Sequence, residues 1–241
     1  MKEQLLPYCE PRQEKIDMLV IHCSAYDPQT QIHWLHEYKL SAHYIIDESG
    51  EIWRLVPEEL SAYHGGRGYW RGKEGSINQR SVGIELVSYS LGQQPYAAKQ
   101  IDALSKLSRE IIERHQIPAV NIVGHSDVAP LRKADPGKAF PWQLLAERGL
   151  GLWPKNNNGE SNANIENLLA AIGYDTRSKE ALKASAWAFC RRFCPELVGE
   201  DKDIMHLIDN VVPQTDNFMS DSRFLSRLSA IAEIYKQHIE K

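Results

Sequence analysis

A chain of 241 residues, 42% hydrophobic and 25% charged, holds one large domain or a medium domain with a small one, and its composition is that of an ordinary globular protein. A net charge of −4 with no basic stripe excludes an electrostatic footprint for nucleic acid or for an acidic membrane surface. Four cysteines in this length make no disulfide framework, and no run is long and apolar enough to span a bilayer.

Residues 1–15 read as an irregular lead-in without the apolar core of a signal peptide, which points to the cytoplasm; a periplasmic or envelope location is the alternative if an export signal has been removed. Ile16 to His22 is a continuous apolar run, the mark of a strand buried on both faces. Thr30 to Tyr38 reads as a short helix. Ala42 to Ile46 and Glu51 to Val56 flank Asp47-Glu48-Ser49-Gly50, a strong hairpin turn. Ser61 to Ser76, rich in glycine and aromatics, reads as a long surface loop. Ser81 to Val87 is another strand. Pro95 to His115 is the clearest helix, with Ile101, Leu104, Ile111 and Ile112 on one face. Pro118 stops it, Val120 to Val123 returns as a strand, and Phe140-Pro141-Trp142 opens a short helix.

Residues 155–162 are polar and aperiodic and read as a join. Beyond it the pattern is helical. Ile165, Leu168, Leu169 and Ile172 form one stripe closed by Gly173, Leu182, Ala186, Phe189, Cys190 and Phe193 form a second ended by Pro195, and Leu225, Leu228, Ile231 and Tyr235 form a third. The expected class is therefore α/β, a central mixed sheet flanked by helices over residues 1–154, followed by a small all-α bundle over residues 163–241. Cys190 and Cys194 read as small hydrophobes packed in a reducing compartment.

The chemistry concentrates at two strand ends. Met18-Leu19-Val20-Ile21 ends on His22, and Val120 to Val123 runs into Gly124-His125-Ser126-Asp127, with Asp135 ten residues past His125 in a loop stiffened by Pro130 and Pro136. Two imidazoles and a carboxylate are metal ligands, and three of them leave a coordination position open, as catalytic zinc requires. The competing reading of each histidine is a structural side chain. Glu85, between Ile84 and Leu86, is either a proton carrier beside the metal or half of a salt bridge to Arg80 or Lys133. Lys133 either stabilises negative charge on a carbonyl oxygen or is a solvated loop residue. His33-Trp34-Leu35-His36-Glu37 has the wrong spacing for a zinc-protease helix and reads as an exposed polar face. Cys23 points away from His22 and reads as core. Tyr63, His64, Tyr69, Trp70 and Arg71 make the long loop a wall for a substrate, or a loop packed by its own aromatics.

These motifs resemble the zinc-dependent N-acetylmuramoyl-L-alanine amidases of the AmpD and AmiD type, whose fold is shared with peptidoglycan recognition proteins. The resemblance covers about Asp17 to Pro154 and rests on Val20-Ile21-His22, Ser41-Ala42-His43-Tyr44, Tyr63-His64-Gly65-Gly66, Val82-Gly83-Ile84-Glu85-Leu86, the stretch from Gly124 to Pro130, the stretch from Arg132 to Gly137, and Phe140-Pro141-Trp142. It implies zinc on His22, His125 and Asp135, with Glu85 acting on the attacking water and Lys133 supporting the transition state. It implies hydrolysis of the amide joining N-acetylmuramic acid, or its anhydro form, to L-alanine of a peptidoglycan stem peptide, with peptidoglycan or muropeptides as partners and a monomer as the expected state. A non-catalytic muropeptide receptor on the same fold is the alternative. Leu168 to Asp175 and Ala188 to Phe193 resemble the helical peptidoglycan-binding module of AmiD-type amidases. Cys190 stands where that module has glutamine, so wall binding and a purely structural role both stay open. A further departure is Cys23, where an aromatic often follows the first histidine.

Overall fold

The computed structural model describes residues 1–155, 164–199 and 216–238. In chain order its elements begin with the short strands β1 (Lys2–Glu3) and β2 (Cys9–Pro11), then β3 (Met18–Ser24), α1 (Pro28–Glu37), β4 (Tyr44–Ile46) and β5 (Ile52–Arg54). They continue through β6 (Leu60–Ala62), β7 (Arg67–Trp70), β8 (Lys73–Ser76), α2 (Ile77–Arg80), β9 (Ser81–Val87) and α3 (Ala98–His115). Next come β10 (Ile122–Gly124), α4 (His125–Val128), α5 (Trp142–Glu147), α6 (Ile165–Ile172), α7 (Lys179–Phe193) and α8 (Ser222–Gln237).

Six strands form a mixed sheet in the order β1-β5-β4-β9-β3-β10. The four strands from β4 to β10 are parallel neighbours, and β5 returns antiparallel to β4 across the expected turn. β3 and β9 pair over seven positions, from Met18 opposite Ser81 to Ser24 opposite Val87, which sets His22 beside Glu85. Both strands are buried because layers cover both faces of the sheet. Leu19, Ile21 and Cys23 pack with Ile101, Leu104 and Ile111 of α3. Met18 and Val20 face the other way, into a cluster with Trp70, Val128 and the apolar stripes of α6, α7 and α8. Side chains alternate along a strand, so His22 and Glu85 share this second face.

Two sequence expectations change here. The lead-in carries β1, which extends the sheet, and β2, which pairs with β6. The segment 61–76 is no loose loop: β7 and β8 form a hairpin, and Trp70 is fully buried, its indole donating to the Val120 carbonyl at 3.2 Å and meeting Tyr174 edge-on. Trp70 is a core residue, so it walls no substrate site. The helices α6 to α8 share a continuous hydrophobic cluster with the sheet. Beyond Lys155, the polar join expected at 155–162 lies outside the described residues. No described helix is long and apolar enough to cross a membrane.

Candidate metal centre and active site

The site lies at the carboxyl ends of β3, β9 and β10, where open parallel sheets hold their ligands. His22 stands two residues before the end of the regular pairing of β3 with β9, and His125 begins α4 where β10 stops. The loop carrying Asp135 folds back over that end, with the Ser126 amide donating to the Asp135 carbonyl at 2.9 Å. A Cβ on Gly124 would meet Pro136 at 2.7 Å, so only glycine lets the loop approach this closely.

Three ligand atoms converge. Nδ1 of His22 lies 3.0 Å from Nδ1 of His125 and 3.0 Å from Oδ2 of Asp135, and His125 Nδ1 lies 3.2 Å from the same oxygen. The far nitrogens are committed as donors. His125 Nε2 donates to the Gly65 carbonyl at 3.1 Å. Ser81 Oγ donates to the Ile77 carbonyl and accepts from His64 Nε2, which leaves His64 Nδ1 to accept from His22 Nε2 at 2.9 Å. This network assigns both ligand imidazoles to the tautomer whose Nδ1 carries a lone pair.

Two imidazole lone pairs and a carboxylate oxygen thus face one another in a buried space without a proton between the two nitrogens. Burial, and then the His125 ring, push His22 down to about 4, so an imidazolium does not relieve the crowding. A cation relieves all three at once. A tetrahedral zinc with bonds of about 2.0–2.1 Å spaces its ligands by about 3.3 Å, close to the triangle seen here. Among the described residues this is the group of three or more His, Cys, Asp or Glu side chains arranged to hold a metal ion. His33 and His36 sit exposed on α1 and take no part.

Glu85 faces the same space. Its Oε2 is buried without a hydrogen-bond partner. Burial, and then the charge of Asp135, raise its carboxyl to about 8, while a hydrogen bond from Gln31 of α1 and the charge of Lys133 pull the other way. The salt bridge to Arg80 weighed from sequence does not form, because Arg80 grips Asp17 with two hydrogen bonds of 2.6–2.7 Å. Lys133 forms no salt bridge among the described residues, and its charge acts on both His22 and Glu85.

The histidines left without a role now have one. His64 fixes the tautomer of His22 from a slot in β9, where a Cβ on Gly83 would meet its ring at 2.5 Å. A glycine inside a buried strand was the available signal for that close approach. His43 is a structural tie: Nδ1 accepts from the Gly83 amide at 3.0 Å, and Nε2 lies 3.1 Å from the Leu60 carbonyl and 2.9 Å from Arg12. Asp127, quoted in the motif but given no role, is a buried carboxylate behind His125. It accepts from the Gly124 amide at 2.8 Å, from Tyr174 Oη at 2.6 Å and from Arg192 Nη1 at 2.6 Å.

Residues 12–138, more than half of the chain, match the family model described as N-acetylmuramoyl-L-alanine amidase. The chain belongs to the N-acetylmuramoyl-L-alanine amidase family. It is 34% identical to N-acetylmuramoyl-L-alanine amidase AmiD of Escherichia coli over 78% of this chain and 79% of that one. It is 33% identical to 1,6-anhydro-N-acetylmuramyl-L-alanine amidase AmpD of Enterobacter cloacae, over 56% of this chain and 81% of that one. The structure of E. coli AmiD in complex with anhydro-N-acetylmuramic acid-L-Ala-D-gamma-Glu-L-Lys matches at a TM-score of 0.73 and 30% identity, covering 97% of this chain and 94% of that one. AmpDh3 of Pseudomonas aeruginosa with anhydromuramic pentapeptide also scores 0.73, at 27% identity, covering 96% and 95%. The protein is an amidase, a hydrolase of the AmpD and AmiD type, and the two structural matches extend over its helical segment as well as its sheet.

Proposed function

We propose that this amidase cleaves the bond between N-acetylmuramic acid, or its anhydro form, and L-alanine of the stem peptide, with zinc held by His22, His125 and Asp135. The observation that carries the reading is the triangle of two Nδ1 lone pairs and one carboxylate oxygen, set beside a carboxyl group with a free buried oxygen. Bound zinc supplies a water acidified to a pKa of about 7 and polarises the scissile carbonyl.

The chain's own groups do the rest. Glu85 takes a proton from the attacking water as its oxygen bonds to the carbonyl carbon. As the carbon–nitrogen bond breaks, Glu85 returns that proton to the alanine nitrogen, which leaves as an amine. Lys133 donates to the carbonyl oxygen as negative charge develops there. His64 keeps the His22 ring in the tautomer that ligates. Supporting the substrate class, two structural relatives hold anhydromuramyl peptides.

The decisive variant is Glu85→Gln, which keeps the shape and removes the base. It should lower kcat by about 10²–10⁴ while muropeptide affinity stays nearly unchanged. A variant that cleaves as fast as the wild type overturns the role of Glu85 as the base.

A further inference from the structure

Three exposed aromatic side chains lie on or beside α1, the helix whose Gln31 faces Glu85. Tyr26 lies four residues past His22 in the turn out of β3, Trp34 lies on α1, and Tyr38 directly follows that helix. Their exposures, 46%, 39% and 68%, are high for side chains of this size. They also form one series: Tyr26 and Trp34 have ring centroids 6.5 Å apart, and Trp34 and Tyr38 stack at 5.8 Å with 22° between their planes. Isolated exposed apolar residues need no explanation, whereas a contiguous exposed aromatic surface marks a binding site.

The helix geometry directs this series toward the catalytic groups. Ile32 packs with Leu6, Ile45 and Leu55, on the side of the outer strands. One residue back, and so rotated by about 100°, Gln31 reaches Glu85. Trp34 lies about 60° further round in the same sense, and Tyr38 falls nearly in line with Gln31. The row Gln31, Trp34, Tyr38 therefore runs along the flank of α1 that begins at the catalytic carboxyl.

The chemistry of this flank disfavours an anionic occupant. The helix from Pro28 to Glu37 contains no lysine or arginine. The cations near the site, Arg132 and Lys133, come from the loop after α4 and suit the carboxylates of a stem peptide. Exposed aromatic rings carrying the hydroxyl groups of Tyr26 and Tyr38 suit a ring with an apolar C–H face and a hydroxyl rim, which is a pyranose.

We infer that Tyr26, Trp34 and Tyr38 form a glycan subsite on which sugars of the strand adjoining the cleaved muramyl residue stack. This rests on the amidase reading above and deepens it, since a series of three rings accommodates more sugar than a single muramyl unit. The preferred substrate is then polymeric peptidoglycan rather than a one-sugar muropeptide.

The test pairs a binding arm with a kinetic arm, using the full chain and the double variant Trp34→Ala/Tyr38→Ala. Peptide-free glycan strands should bind the wild type and bind the variant about tenfold or more weakly. The variant should cleave sacculi about tenfold or more slowly, while its turnover of a soluble anhydro-muramyl peptide stays within about twofold of wild type, which also certifies its fold. Failure of the wild type to bind glycan strands overturns the subsite, as does unchanged binding by the variant or an equal loss on both substrates. If the wild type cleaves neither substrate, the amidase reading fails, and the binding arm still decides the subsite.

Discussion

Asp127 and Arg192 form a salt bridge of 2.6 Å in which both side chains are almost wholly buried. Asp127 sits two residues past the proposed ligand His125, and Arg192 sits near the end of α7, so the pair bolts the helical segment to the catalytic loop. Arg192 also donates to the Ile122 carbonyl at 3.0 Å and lies over the Trp142 ring. Removing one partner of a buried pair strands the other charge. Arg192→Met should therefore destabilise the protein by about 3–5 kcal/mol, measured by urea unfolding. A loss below about 1 kcal/mol would show that the helical segment is not anchored through this pair.

Gly83→Ala tests the support behind His22. The added methyl group collides with the His64 ring and displaces the acceptor that fixes the His22 tautomer. Outer partners of ligating histidines carry about 10–100-fold of metal affinity, so zinc affinity measured against a chromogenic chelator should fall by that amount. Unchanged affinity would remove His64 from the metal site.

Lys133→Ala should lower kcat by about 10²–10³ with little change in KM, the signature of a donor engaged chiefly in the transition state. A rise in KM at constant kcat would move Lys133 to a binding role.

Metal-free protein should have its stability maximum near pH 6.5 within the range between 4.5 and 8. The folded state holds His22 down to about 4 and His43 to about 3, in each case by burial first, against an ordinary 6.5. Between those values the unfolded chain binds more protons, so stability falls as pH drops below 6.5. Glu85 has the opposite sign: raised from 4.5 to about 8, its protonated form favours the fold, so stability falls as pH climbs toward 8. Urea midpoints across this range check both limbs. Glu85→Gln should flatten the upper one, and a midpoint that keeps falling in that variant would assign the effect to another group.

Much of the site could be read along the chain because its key groups end apolar runs. A continuous buried strand that stops on His22, and another that opens onto His125, force their rings toward a common edge, and the prolines around Asp135 bring its loop back. Other features depend on contacts far apart in sequence. Asp127 meets Arg192 across 65 positions, and no local pattern in either segment announces it. The β7–β8 hairpin was hidden because Gly66, Gly68, Gly72 and Gly75 mask any alternation, so Trp70 read as part of a loop although it is core. The three helical stripes were visible as stripes, but that they close over Met18 and Val20 of the central strand is a property of the assembled fold.

The central claim is tested most directly by mass spectrometry of the products after zinc-loaded and chelator-treated protein are each incubated with a soluble anhydro-muramyl peptide. The account predicts a free stem peptide beginning at L-alanine, together with the intact sugar, from the zinc-loaded sample, and none from the chelated one. Cleavage at a different bond, equal release in both samples, or an uncleaved substrate with zinc bound would contradict it.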